Sequence, residues 1–99
     1  MKVIHKFTLQ PGTPAVSMPV GAKLLSADYQ EEGGGLVYPR NLQVRIWAIV
    51  DTEEEFEMRK VRVLLTGEPI PEDFKSGEWE FLDTVNMRPI GIVLHVFYQ

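Results

Sequence analysis

Side chains in this sequence change character at every second residue, and no segment sustains the 3.6-residue period of a helix. Val3, His5, Phe7 and Leu9 alternate with Lys2, Ile4, Lys6 and Thr8. A period of two sends successive side chains to opposite faces of an extended chain, so the pattern restricts the fold to β-structure. The same extended character returns over Ala15 to Met18, Ala22 to Tyr29, Leu42 to Asp51, Phe56 to Leu65, Glu78 to Val85 and Ile90 to Tyr98. Turn residues separate these segments: Pro11-Gly12, Pro19 with Gly21, the triple glycine Gly33 to Gly35, and Arg88-Pro89. Thr66 to Pro71 carries two prolines, each lacking a ladder donor, and reads as a structured loop leading into one helical turn near Phe74. The expectation is an all-β chain, a single small antiparallel sandwich or barrel of about seven short strands, with residues 1–99 as one domain. A half-open sheet with one short helix is the nearest alternative.

Composition sets the function classes. An apolar content of 44% supports a packed core, and a net charge of −4 argues against general nucleic-acid binding. The absence of cysteine removes disulfides, thiolate metal sites and a cysteine nucleophile. The apolar runs, such as Ile46 to Val50, fall far short of the ~20 residues of a spanning helix, so no membrane segment is expected.

The central segments invite a hairpin. With Asp51 opposite Phe56, Val50 meets Glu57, Ala48 meets Arg59, Ile46 meets Val61, Val44 meets Val63 and Leu42 meets Leu65, which matches apolar with apolar. The other face of that hairpin sets Arg45 opposite Arg62 and Trp47 opposite Lys60. Two facing arginines repel unless an anion or acid lies between them, and a tryptophan beside a cation offers a stacking plate. Arg45, Trp47, Lys60 and Arg62 are therefore the candidate ligand-binding residues, suited to a phosphorylated planar molecule. The same residues would also suit an outer face covered by another sheet or subunit, with Trp47 and Met58 as core and Arg45 paired to a glutamate.

Catalysis finds little support. None of Ser17, Ser26 and Ser76 sits in a nucleophile elbow, and the carboxylates cluster in loops at Glu53 to Glu57, Glu72-Asp73 and Glu78 to Glu80. His5 and His95 would approach each other if the terminal strands paired, but two ligands are too few for a structural zinc site, and half-buried histidines bonded to the backbone are the simpler reading. No enzyme, metal or cofactor is expected.

Ile4-His5-Lys6, Pro19-Val20-Gly21-Ala22, Trp47-Ala48-Ile49-Val50-Asp51, Thr66-Gly67-Glu68-Pro69-Ile70-Pro71 and His95-Val96-Phe97 occur in this order. Through them the chain resembles a family of short bacteriophage and prophage proteins over nearly its whole length. The Trp-Ala-x-Val-Asp and Thr-Gly-x-Pro-x-Pro pieces are the most specific. The chain departs from the family at the Glu31 to Gly35 loop and the acidic Thr52 to Glu55 turn. The resemblance carries no site residues. It implies a setting in the host cytoplasm, where small non-catalytic phage proteins neutralise a host defence, regulate a host protein or build part of a virion. The expected function is an oligomeric anti-defence sponge that sequesters a cyclic nucleotide or similar small anionic ligand. The alternatives are a protein–protein inhibitor acting through the acidic Asp51 to Glu57 region and a minor virion protein. A homo-oligomer is also expected because sheet edges and the apolar C-terminal strand ask for cover.

Overall fold

Seven strands form where the alternation places them: β1 (Lys2–Leu9), β2 (Ala15–Pro19), β3 (Lys23–Glu31), β4 (Leu42–Asp51), β5 (Phe56–Leu65), β6 (Glu80–Met87) and β7 (Ile92–Tyr98). They are seen in a computed structural model that describes residues 1–9, 15–31, 42–72, 74, 77–88 and 91–99. The expected Pro11-Gly12 turn, the triple glycine and Pro89 lie outside the described residues. The chain is all-β, with two antiparallel sheets of order β1-β4-β3 and β2-β5-β7-β6.

The expected β4–β5 hairpin does not form. β4 is the central strand of the three-stranded sheet, with Ile46 opposite Phe7 on one side and Ala27 on the other. β5 lies in the second sheet between β2 and β7, where Val61 meets Tyr98 and Lys60 meets Ala15. The acidic stretch between them is a corner that passes the chain from sheet to sheet. At its start the Thr52 N–H donates to the Met1 carbonyl (2.9 Å), and at its end the Glu55 carbonyl accepts from the Val20 N–H (2.7 Å). The apolar stripes that sequence pairing set side by side instead face each other across the sandwich. Ile46, Ala48 and Val50 of β4 share one core with Val61 of β5, Val16 and Met18 of β2, Val85 of β6 and Val96 of β7. Period two fixes which face of a strand is apolar, and packing face to face satisfies it as well as pairing edge to edge.

Two bulges keep the inner face apolar where strict alternation would fail. In β3, Leu24 and Ala27 are three residues apart yet both buried, because the register slips between Leu24 and Ser26 and leaves Leu25 39% exposed. In β6 the slip lies between Phe81 and Asp83. It serves the seam between the sheets, where β3 runs close to β6. The Ala27 N–H donates to Asp83 Oδ2 at 3.0 Å while the Thr84 N–H holds Oδ1 at 2.9 Å. A carboxylate thus caps an edge amide that would otherwise offer itself to another strand. Asp83→Ala is expected to lower stability by about 1–2 kcal/mol, since it strands a partly buried donor, and Asp83→Asn to recover most of that. Urea unfolding of the two variants checks this, and an alanine variant as stable as the wild type would contradict it.

β7 is paired on both sides, as its apolar character on both faces predicts. Turn chemistry is also as expected at Gly21, whose φ of +79° after β2 disfavours residues with a Cβ. The proline-rich connection after β5 closes with Phe74 N–H donating to the Pro71 carbonyl (3.1 Å), a single 3₁₀ turn.

Candidate functional site

Assigning β4 and β5 to different sheets separates the four candidate residues. Arg45 and Trp47 lie on the outer face of the three-stranded sheet, and Lys60 and Arg62 on the outer face of the four-stranded sheet. Arg45 does not face Arg62, and Trp47 does not face Lys60.

On the three-stranded face, register builds a set of rows across β1, β4 and β3. Trp47 sits between Lys6 and Ser26, Ile49 between Ile4 and Lys23, and Arg45 between Thr8 and Asp28. Trp47 is half-buried and Ile4 is 60% exposed, so this face presents an apolar centre to solvent. Lys2, Lys6 and Lys23 rim it, all exposed. Arg45 is buried although it points outward. Its Nη1 donates to Thr8 Oγ1 on one side, and Asp28 is in register on the other. Lys6 Nζ reaches Gln30 Oε1 at 2.9 Å, diagonally over the Arg45 row, and this helps to close it off. The guanidinium is therefore a fixed positive charge in the row beside Trp47, and the lysines are the exposed ones. At the far end Asp51 Oδ1 accepts from the Glu53 N–H (3.0 Å) and the terminal ammonium (3.2 Å). These bonds, the backbone one foremost, hold its carboxyl below the usual carboxylate range.

The four-stranded face is built differently. The connection from β5 to β6 folds back over it and brings Phe74 onto Trp79, stacked at 5.2 Å, and edge-on to Phe97 at 5.0 Å. Phe81 meets Phe97 edge-on from the other side at 5.6 Å. Arg62, in register with Phe97, lies 5.5 Å from the Trp79 ring and 5.9 Å from that of Phe74. Its aromatic partners are thus in its own sheet and strap, and Leu64 is buried beneath them. Trp79 precedes β6, which begins at Glu80 where the alternation had predicted Glu78. Lys60 lies beyond this cluster and is exposed.

The histidines do not meet, because β1 and β7 belong to different sheets. His5 is exposed beside Phe7. His95 is held by hydroxyls rather than by the backbone, with Nε2 at 2.7 Å from Thr66 Oγ1 and Nδ1 at 3.2 Å from Thr84 Oγ1. Those bonds pin the start of the strap to β6. No group of three metal-ligating side chains occurs among the described residues. On the inner side of the four-stranded sheet, Tyr98 donates to Glu80 Oε2 (2.9 Å), and burial first, with that carboxylate second, raises its phenol above its ordinary value.

Sequence reasoning missed Lys6 and Lys23 as neighbours of Trp47, and Lys2 further along the same face. Parity along β1 does put Lys2 and Lys6 on one face, but nothing local says that this strand flanks Trp47. A sequence model of the family described as Domain of unknown function (DUF7352) matches residues 1–99. No curated protein and no solved structure matches the chain.

Proposed function

We propose that this chain, which belongs to the DUF7352 family, is a non-catalytic binding protein that captures a small planar anion of the nucleotide class on its three-stranded face. The observation that carries this reading is the placement of Trp47 on the central strand, half-buried on the outer face, with Lys6 beside it and the buried Arg45 in the adjoining row. An indole on a flat sheet stacks a base without sequence demand, and a ring of cations supplies phosphate contacts. Trp47 is the stacking plate, Lys6 and Lys23 hold phosphate oxygens, and Arg45 supplies a pre-ordered charge. Lys60 and Arg62 take no part. The bacteriophage setting rests on the sequence resemblance and gives the reading its biological form: stoichiometric sequestration of a cyclic nucleotide signal in the host cytoplasm.

Calorimetric titration with a panel of cyclic mono- and dinucleotides tests it. Trp47→Ala is expected to weaken binding about tenfold or more, by loss of one base stack. Lys6→Ala is expected to weaken it less and to flatten its salt dependence. Lys60→Ala, on the opposite sheet, is expected to leave the affinity unchanged. Equal losses from Lys60→Ala and Trp47→Ala would refute the assignment of the face.

A further inference from the structure

β5 extends past β7. Its bonds to the β7 end of the chain begin at Lys60, whose carbonyl accepts from the Gln99 N–H (3.0 Å), so from Phe56 to Arg59 it is laddered to β2 alone. The outer face of this two-stranded ribbon carries Phe56, 63% exposed, and Met58, 62% exposed, opposite Pro19 and Ser17 of β2. Side chains this apolar side by side on one flat face are uncommon on a surface with no partner. Charge is distributed along the ribbon in a definite order. The exposed Glu54 and Glu55 stand at the Phe56 end, and the exposed Lys60 stands beyond Met58 at the other. A surface that is acidic at one end, apolar in the middle and basic at the other is complementary to itself when turned through a half rotation.

We infer that this face docks a second copy of the chain in a twofold contact with the two β5 strands antiparallel. Met58 packs against the partner's Met58 near the axis. Phe56 lies over the aliphatic stem of the partner's Lys60, whose ammonium reaches the acidic corner formed by Glu54 and Glu55. The contact is isologous, so each pair of interactions forms twice. It lies on the outer face of the four-stranded sheet and leaves the Trp47 face of each copy open, so it stands or falls separately from ligand capture. A ribbon two strands wide covers less than the standard area of a stable interface, so the dimer is expected to be concentration-dependent.

Sedimentation velocity over a concentration series up to about 1 mM, where mass action reveals even weak association, tests the inference with two charge variants. Lys60→Glu alone and Glu54→Lys/Glu55→Lys alone are each expected to be monomeric, since each sets like charges against like across the axis. Mixed together, the two variants are expected to form a heterodimer, because acid then meets base at both ends. All substitutions are at exposed positions, and retention of the wild-type circular dichroism spectrum verifies the fold. A wild-type chain that stays monomeric throughout, a dimer indifferent to Lys60→Glu, or variants that fail to associate on mixing would each overturn it.

Discussion

Replacing Ile46 by alanine is expected to cost about 3–4 kcal/mol of folding stability. Ile46 is fully buried in the central strand of the three-stranded sheet, flanked in register by Phe7 and Ala27, and its side chain belongs to the core shared by both sheets. Alanine at this position leaves a cavity that cannot collapse easily, because the β4 backbone is laddered on both sides and cannot sink toward β5. A domain of this size holds about 5–10 kcal/mol in total, so the variant should unfold at a much lower urea concentration. Ile46→Val should lose only about 1 kcal/mol. Ile49→Ala, one face over and half-buried, should also lose less. A loss below about 1 kcal/mol for Ile46→Ala would contradict a single core between two sheets.

Phe97→Ala is expected to cost about 2–3 kcal/mol and to loosen the connection between β5 and β6. Phe97 is the common contact of a small aromatic cluster, edge-on to both Phe74 and Phe81, and is paired in register with Arg62. Without it Phe74, on which Trp79 stacks, loses the ring it rests on, while the Thr66–His95–Thr84 bonds at the start of the strap persist. Limited proteolysis should therefore cut the connection faster in Phe97→Ala than in Asp83→Ala, although both variants are destabilised. Phe97→Leu, which retains most of the apolar volume, should restore much of the protection. Equal cleavage rates in wild type and Phe97→Ala would show that the strap is held by something else.

The strands were legible because their information is local. Alternation over Val3 to Leu9 and Leu42 to Asp51 marks extended segments with one apolar face, and the glycines and prolines between them mark the ends. Even the burial of Ile46, Ala48 and Val50 followed from parity. Pairing was not legible, because β4 meets β1 and β3 through contacts distant in sequence, and apolar stripes fit equally well beside or across from one another. The short acidic stretch Thr52 to Glu55 has the length of a hairpin loop and the job of a corner, and only tertiary structure separates the two. The candidate site inherited that error. Arg45 and Trp47 are neighbours along one strand and stay together, whereas Lys60 and Arg62 came from the assumed pairing and left with it. The bulge at Leu25 and the seam between Ala27 and Asp83 had no signal in the alternation, since a bulge is a break in the period and reads as noise.

Native mass spectrometry after incubation in a nucleotide-rich bacterial extract reads capture of a planar anion on the Trp47 face without a labelled ligand. One spectrum reports both the number of subunits and any retained small molecule. A discrete added mass matching a nucleotide is expected on the wild-type chain and on Lys60→Ala, and is expected to be absent from Trp47→Ala. A clean ligand-free spectrum for the wild type, both in extract and with a panel of cyclic dinucleotides, would contradict it.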